Sequence, residues 1–146
     1  MQIRTLVFFL FFILICTTSA MAKDVIGTVK TTKGIVTIIR VDTQFLAEIG
    51  FKIQQNDIIK TGTDGAIGII FIDGTILALG PDTEFVVDEY FFEPQKKKMS
   101  MIMRIIKGTA SYLSGIIGKQ SPDTVKLKTP EATIGIRGTR FLVEVD

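Results

Sequence analysis

The sequence predicts an all-β domain that follows a short apolar leader. Three observations favour this fold class: no segment keeps an apolar period of about 3.6 residues over several turns, apolar and β-branched residues occur in short runs, and glycine, proline and aspartate separate those runs. The runs recur at roughly the 8–12-residue spacing of strands in all-β domains. We therefore expect about ten to twelve short strands, arranged as a sandwich, a barrel or a solenoid.

The first 22 residues have the three-part pattern of a secretory signal peptide. Arg4 provides a positive charge, residues 6–16 are apolar, and TTSAMA follows with small residues at Ala20 and Ala22. The apolar run is short for a membrane-crossing helix, which needs about 20 residues. We therefore predict a signal peptide at 1–22 that is cleaved after Ala22, and a periplasmic all-β domain at 23–146. The alternative is an uncleaved anchor.

Composition excludes several kinds of site from the predicted mature chain. It has no histidine or tryptophan, and the only cysteine, Cys16, falls within the predicted leader. Zinc sites are therefore close to excluded, nucleophiles that depend on histidine are excluded, and stability must come from the apolar core and not from disulfides. Loss of Arg4 leaves 16 basic residues against 15 acidic ones, which is not the strongly basic balance of nucleic-acid-binding proteins.

The first half of the predicted mature chain has the clearest strand patterns. The run at 66–72 is apolar on both faces and predicts a fully buried strand. Asp73-Gly74 follows it and is a strong signal for a two-residue hairpin turn into the next strand. In chain order, the extended segments predicted here are VIGTV at 25–29, GIVTIIRV at 34–41, AIGIIFI at 66–72, TILAL at 75–79 and EFVVDEYFF at 84–92.

The second half is less regular, and its strands are assigned from shorter patterns. Residues 99–106 alternate in part, and a strand is favoured there over a helical turn. GTASYLSGIIGK at 108–119 is spaced by glycine and predicts two short strands around Gly115, while VKLKT at 125–129 alternates cleanly. The RGT at 137–139 is interpreted as the turn of a last hairpin, which joins ATIGI to RFLVEV.

Four turn aspartates recur at spacings of seven, nine and nine residues. Stacked as a column in a solenoid, their carboxylates would suit Ca²⁺. A calcium-binding β-roll needs a glycine-rich nonapeptide repeat, which this sequence lacks, so we favour turn residues that accept local backbone N–H bonds. We therefore predict no metal site and no cofactor. The four residues are Asp57, Asp64, Asp73 and Asp82.

Acidic and aromatic residues lie together along the segment that ends at EYFFEP. Paired carboxylates beside aromatic residues can form a glycan-cleaving site, but nothing in a strand end followed by a charged loop fixes two carboxylates at a working separation. The aromatic residues are therefore interpreted as core residues or as a protein-contact surface. The carboxylates are Asp88, Glu89 and Glu93, and the candidate binding residues are Tyr90, Phe91 and Phe92.

The closing GIRGTR supplies backbone amides and two arginines that could hold a phosphate. It lacks the strand-to-helix glycine motifs of phosphate loops, and no predicted helix follows to add its N-terminal dipole. Arg137 is therefore favoured as a turn or strand-end residue paired with a nearby carboxylate. Arg137 and Arg140 are retained as candidate binding residues.

Two separated stretches resemble the FecR domain family. Residues 55–85, QNDIIKTGTDGAIGIIFIDGTILALGPDTEF, resemble the family's "GD-x-I-x-T-G" and "F-x-D-G-[ST]-x-L-x-L-x-P-x-[ST]" steps. Residues 128–145, KTPEATIGIRGTRFLVEV, resemble its "TP-x-A-x-x-x-x-RGT-x-F-x-V" segment. Asn56 stands where glycine is usual, and asparagine tolerates the left-handed backbone of that turn. With the opening strand pair at 27–40, the resemblance covers roughly residues 25–145.

The resemblance implies twisted antiparallel sheets with solenoid-like stacking of short strands, in a domain that works in the periplasm. The best-known members of the family relay the state of an outer-membrane receptor to a cytoplasmic sigma factor. They do so with an anti-sigma segment, a transmembrane helix and a receptor-docking module. We expect none of these additional parts here, and we therefore expect that this chain does not itself bind a sigma factor across the membrane.

The leading hypothesis is a non-enzymatic periplasmic module that binds or scaffolds an envelope or periplasmic protein, or a glycan, in envelope sensing or signalling. Contact would run through the surface of Tyr90, Phe91 and Phe92 or through an exposed strand edge. The terminal RFLVEV could pair with a partner's strand. The alternatives are a glycan hydrolase that uses Glu89 or Glu93, and a calcium-stabilised structural protein.

Overall fold

The described part of the chain, residues 24–146 of a computed structural model, is all-β as the sequence predicts. It contains twelve strands, one short α-helix and two 3-10 turns. The predicted leader at 1–22 lies outside the described residues. Within 24–146, no helix has the length and apolar character needed to cross a bilayer.

The strands range in length from three to sixteen residues. The strands are β1 (Val25–Lys33), β2 (Val36–Arg40), β3 (Thr43–Leu46), β4 (Lys52–Gln54), β5 (Ile58–Thr61), β6 (Ala66–Phe71), β7 (Ile76–Leu79), β8 (Glu84–Glu93), β9 (Lys98–Leu113), β10 (Val125–Lys128), β11 (Thr133–Gly135) and β12 (Arg140–Val145). The helix α1 spans Ile116–Gln120, and the 3-10 turns span Pro94–Lys96 and Pro122–Thr124.

The strands form a curled sheet whose two halves share the long strand β9. In the first half-sheet the hydrogen-bonded neighbours follow the order β3-β2-β5-β8-β9-β10-β11, and in the second they follow β4-β1-β6-β7-β9-β12. Strand β9 pairs with β8 from Lys98 to Lys107 and with β12 from Gly108 to Leu113. The pairing of β9 with β10 is parallel, and the other pairings in these two orders are antiparallel.

Strand β9 passes from one half-sheet to the other at Gly108. This residue has a φ of +96°, in the left-handed range that favours glycine. A β-carbon at this position would collide with the backbone of Thr83. Thr83 is itself fixed, because its buried hydroxyl accepts a hydrogen bond from the Thr109 N–H at 3.0 Å. Glycine therefore allows β9 to pass close to the start of β8.

Both half-sheets contribute to one apolar core. Ile38 and Ile59 from the first half-sheet lie in the same buried cluster as Ile69 and Leu77 from the second. Burial of this cluster supplies the stabilisation that a chain without disulfides needs. Strand β9 adds alternate residues on both sides of Gly108, namely Met99, Met101, Met103 and Ile105 before it and Ala110 and Tyr112 after it.

Strand β6 is fully buried on one face only, which corrects the expectation of a strand buried on both faces. Ile67, Ile69 and Phe71 are buried, whereas the residues between them are only half-buried. Ile72, directly after the strand, is exposed. Because β6 lies between β1 and β7 within the sheet, only one of its faces is turned toward the shared core.

The segment at 108–119 forms the end of β9 and the helix α1, and not the two short strands expected around Gly115. The first N–H groups of a helix need acceptors from outside the helix. Here the Ile116 N–H donates to the Asp73 carbonyl at 2.9 Å, and the Ile117 N–H donates to Asp73 Oδ2 at 3.1 Å. This acceptor lies 44 residues from Ile117, so no local pattern indicates where the helix begins.

The RGT at 137–139 is a crossing between the half-sheets, which corrects the expectation of a hairpin turn. Strand β11 pairs with β10 in the first half-sheet, while β12 pairs with β9 in the second. The Ser114 N–H donates to the Thr139 carbonyl at 2.8 Å, and the Ser114 hydroxyl donates to the Gly138 carbonyl at 2.8 Å. These bonds fix the crossing, and the two strands beside it therefore have different neighbours.

Candidate functional site

The three aromatic residues expected at the binding surface lie on β8 and face different ways. Tyr90 is 8% exposed and belongs to the core, whereas Phe91 is 49% exposed. Phe92 is partly buried and packs against the core. Successive residues of a strand point to opposite faces, so β8 separates these side chains into core residues and a surface residue. Phe91 is the one of the three that a partner can reach most fully.

Phe91 lines an open groove of about 500 Å³ at the end of β8, which we call the Phe91 groove. Two further exposed apolar side chains line it, Ile72 with 59% exposed and Val25 with 37% exposed. Asp24 and Glu93 add two carboxylates to the lining. The groove therefore combines apolar surface with negative charge. Its lining is completed by Ile26, Gln55, Tyr90 and Phe92.

Tyr90 connects the Phe91 groove to a buried hydrogen-bond network. Its ring stacks on Phe71 with the ring centroids 5.6 Å apart. Its hydroxyl donates to Asp73 Oδ1 at 2.9 Å and accepts from the Asp73 N–H at 3.0 Å. Its backbone N–H donates to Gln55 Oε1 at 3.1 Å. Because both ends of Tyr90 are held, the neighbouring Phe91 is carried on a well-fixed stretch of strand.

The carboxylate of Asp73 is the centre of this network and is 1% exposed. Besides the Tyr90 hydroxyl, Oδ1 accepts from the Thr75 N–H at 3.3 Å. The other oxygen, Oδ2, accepts from the Thr75 hydroxyl at 2.7 Å and from the Ile117 N–H at 3.1 Å. The Thr75 hydroxyl in turn accepts from the Gly115 N–H at 3.1 Å. Each carboxylate oxygen thus has two donors, so neither oxygen of this buried group is left without a hydrogen bond.

Both tyrosines of the chain are buried, and burial is the main cause that raises their pKa values. The pKa of Tyr90 lies well above the ordinary value of 10.0, and the neighbouring charge of Asp73 raises it further. The pKa of Tyr112, whose ring stacks on Phe141 at 4.9 Å, is also raised. A general base works best with a pKa near the working pH, and burial moves the pKa values of both phenols away from that range.

Asp57 is held by a second set of hydrogen bonds. Arg40 donates from Nε to Asp57 Oδ1 at 2.9 Å and from Nη2 to Oδ2 at 2.8 Å, and the Gln54 N–H donates to Oδ2 at 2.8 Å. The bond to Asp57 raises the pKa of Arg40. Asp64 and Asp82 are exposed. Among residues 24–146, no three acidic side chains gather into a group that could hold a metal ion.

The carboxylates near the aromatic residues are engaged with separate partners. Glu89 and Glu93 lie four residues apart on β8, which places their Cα atoms about 13 Å from each other. The partners are Arg104 for Asp88 at 2.9 Å, Ser100 for Glu89 at 2.5 Å and Lys96 for Glu93 at 3.6 Å.

Arg137 and Arg140 lie on either side of the crossing and are both exposed. Arg137 Nη2 donates to Asp123 Oδ1 at 2.6 Å, which confirms the ion pair that the sequence favours for this residue. Arg140 begins β12, where it lies opposite Leu113 in the register with β9. The two arginines border a groove of about 310 Å³ between β11 and β12, whose lining is otherwise mainly apolar.

A family model described as FecR protein matches residues 57–146, which is more than half of the chain. The chain belongs to the FecR family. No curated protein and no solved structure matches it. Members of the FecR family are envelope-associated regulatory or signalling proteins, and FecR domains take part in protein–protein signalling interactions. The match begins at Asp57, so the strands that precede β5 complete the sheet from outside the matched residues.

Two residues that line the Phe91 groove, Ile72 and Val25, are not predicted from the sequence. Ile72 is the last residue of a run that is interpreted as fully buried, and Val25 opens a segment interpreted only as a strand. They meet Phe91 because the Ile72 N–H donates to the Ile26 carbonyl at 3.0 Å, which holds β1 beside the β6–β7 turn. No spacing in the sequence encodes that contact.

Substitution of Asp73 by asparagine tests the buried network. Both oxygens of Asp73 accept from a backbone N–H, one from Thr75 and the other from Ile117. Whichever way the new amide is turned, its NH₂ group faces one of these donors, and that N–H loses its acceptor. We expect Asp73→Asn to lower the free energy of unfolding by about 1–3 kcal/mol, measured by urea denaturation followed with far-ultraviolet circular dichroism.

The matched control is Asp82→Asn, because Asp82 is an exposed turn residue with a φ of 50°, a conformation that asparagine tolerates. This variant should unfold at nearly the same urea concentration as the unmodified protein. Equal stability of the Asp73→Asn and Asp82→Asn variants would show that the network does not contribute to the fold.

The raised tyrosine pKa values predict a loss of stability at alkaline pH. Above pH 10 the unfolded chain releases the phenolic protons of Tyr90 and Tyr112, while the folded chain retains them. Ionisation of these groups therefore leaves the free energy of unfolding unchanged below pH 10 and lowers it as the pH rises further. Tyrosinate absorbance should appear together with the loss of circular dichroism. Absorbance that titrates near pH 10 while the sheet persists would contradict this.

Proposed function

We propose that this FecR-family protein is a non-enzymatic periplasmic module that binds or scaffolds an envelope protein in sensing or signalling. Family membership supports a signalling role in the envelope. The polar groups that could have carried chemistry support a module without turnover. Asp57 and Asp73 are engaged in structural bonds, and the carboxylates of β8 have separate partners.

The observation that carries this proposal is the Phe91 groove. Exposed apolar side chains that lie together on a folded domain mark candidate interaction surfaces. Phe91, Ile72 and Val25 do so here, on a base fixed by Tyr90 and Asp73. A fixed surface loses less conformational entropy when a partner binds, which favours affinity.

The lining of the groove indicates the chemistry of the partner. An apolar side chain would pack against Phe91 and Ile72, while the carboxylate of Asp24 would favour a neighbouring lysine or arginine. The partner that fits is therefore an envelope or periplasmic protein that presents an apolar residue beside a basic one. A glycan that stacks on Phe91 is the other candidate ligand.

Site-specific photo-cross-linking tests the groove. A photoreactive phenylalanine analogue at position 91, in cells that produce the protein, should capture a discrete envelope protein that mass spectrometry can identify. The control position is Val41, which is 84% exposed on the β2–β3 turn. The variant Ile72→Glu places a charge within the groove and should abolish the cross-link from position 91.

Circular dichroism of Ile72→Glu separates loss of binding from loss of the fold. A cross-link of equal strength from position 41, or one that Ile72→Glu leaves unchanged, would contradict the groove as the contact. A product that disappears after digestion of the cell wall, and not after proteolysis, would favour the glycan as ligand.

The periplasmic location depends on cleavage of the leader and has its own test. The intact mass of the protein from the periplasmic fraction should correspond to a chain that begins at Lys23. Small residues are required at the cleavage site, so Ala22→Arg should retain the leader and accumulate as a precursor in the membrane fraction. Recovery of the unmodified chain from the membrane with Met1 or the apolar run still attached would instead support the anchor.

A further inference from the structure

Strand β12 leaves a long edge of the second half-sheet unpaired within residues 24–146. It pairs with β9 on one side, over the six residues from Arg140 to Val145, and has no strand on the other. The other edge strands are shorter, with four residues in β3, three in β4 and three in β11. Folded proteins shorten, cover or pair such edges, because an open edge templates further strand pairing.

The hydrogen bonds to β9 define which backbone groups of β12 face the open edge. Ser114 N–H donates to the Thr139 carbonyl, and these residues continue the β9–β12 register by one pair. Bonded and non-bonded positions alternate along an antiparallel pair. The N–H and C=O groups of Arg140, Leu142 and Glu144 therefore point away from β9, toward the open edge.

The side chains of the same three residues are exposed on one face of β12. Leu142 is 77% exposed, and Arg140 and Glu144 are exposed on either side of it. The intervening Phe141 and Val143 are partly buried and pack against the core. Along its outer face the strand thus presents a cation, an apolar side chain and an anion at equal spacing.

We propose that β12 pairs with β12 of a second copy of this chain, antiparallel and centred on Leu142. In this register Leu142 lies opposite Leu142 of the partner subunit, and Arg140 lies opposite Glu144 of the partner subunit. Glu144 then lies opposite Arg140 of the partner subunit, as two-fold symmetry requires. All three outward-facing backbone positions meet their counterparts, and opposite charges lie directly across from each other, which stabilises a strand pair.

The other registers are less favourable. A shift by one residue places outward-facing backbone groups opposite residues that already bond to β9. A shift by two residues in one direction sets Arg140 against Leu142 of the partner subunit, and in the other it sets Leu142 against Glu144 of the partner subunit. Both shifts lose the contact between the two leucines, so the strand specifies one register.

The inner face of β12 adds apolar contact in the same register. Phe141 and Val143 line the groove of about 310 Å³ between β11 and β12, together with Leu127 and Ile134. Phe141 would lie opposite Val143 of the partner subunit. Strand β12 of the second copy would therefore place its own Phe141 and Val143 beside a groove that is itself mainly apolar. A second copy thus fits both faces of the open edge.

Charge reversal within β12 tests the pairing. The exported protein should sediment as a dimer in analytical ultracentrifugation. Arg140→Glu places glutamate opposite glutamate at both ends of the pair, and Glu144→Arg places arginine opposite arginine. Each variant alone should lower the association constant by roughly tenfold or more. An equimolar mixture of the two variants should restore the dimer, because opposite charges then face each other throughout.

The control is Lys52→Glu, a charge reversal on β4 at the other edge of the same half-sheet, which should leave the dimer intact. Circular dichroism checks that each variant is folded. If the unmodified protein is a monomer, the proposal is wrong, and the open edge of β12 is then available to a strand of a different protein. A dimer that survives both single reversals, or a mixture that stays monomeric, would also overturn it.

Discussion

The buried carboxylate of Asp73 is the interaction on which the arrangement of this domain depends. It joins three parts of the chain that are distant in sequence: the β6–β7 turn, strand β8 through Tyr90, and the start of α1 through Ile117. A buried charge is costly unless it is fully hydrogen-bonded, so its donors must all be in place together. Gly115 completes the arrangement, because a β-carbon there would collide with the backbone around Asp73 and Thr75.

Strand β9 connects the Asp73 network to both half-sheets, because it pairs in both of them and ends beside Gly115. Its last residues pair with β7 and β12, and the chain then turns directly into Ser114 and Gly115, which reach the crossing and the Asp73 network. The position of β12 is therefore fixed from two directions, by β9 and by Ser114. An edge strand held in this way offers its outward hydrogen-bonding groups in a defined register, which a frayed terminal strand does not.

The sequence predicts the features of this fold that depend on neighbouring residues. A turn is present at Asp73-Gly74, but it is longer than the predicted two-residue hairpin turn, because β6 ends at Phe71 and β7 begins only at Ile76. The all-β class and the number of strands follow from the alternation and turn chemistry of the sequence, and the structure confirms them. It does not predict the helix at 116–120, because the acceptor for its first N–H groups comes from Asp73. The crossing at 137–139 is missed for a related reason, since the partners of β11 and β12 are chosen by β10 and β9 and not by the turn between them.

The candidate site, too, can be predicted only where it depends on residues that are neighbours in sequence. Phe91 is identified from the sequence because an aromatic cluster is visible there, but its separation from Tyr90 depends on which face of β8 meets the core. Val25 comes from β1 and Ile72 from the turn after β6, and only the sheet topology brings them to Phe91. The turn aspartates show that the same residue type in similar sequence surroundings can have different roles. Asp82 is exposed to solvent, whereas Asp73 is buried at the centre of a hydrogen-bond network.

A dimer joined at β12 would change how the Phe91 groove acts on a partner. Each copy carries its own groove, and the second half-sheet would continue from one copy into the other through two adjacent β12 strands. Two grooves held at a fixed separation bind a partner that has two matching sites, or a repeated one, more tightly than a single groove does, because the second contact is intramolecular. A low affinity of each individual groove would then be sufficient for a signalling contact. The overall affinity for the partner would also depend on the concentration of the protein, because that concentration sets the fraction that is dimeric. Self-association through an edge strand and recognition through a separate groove are therefore compatible roles for one small domain.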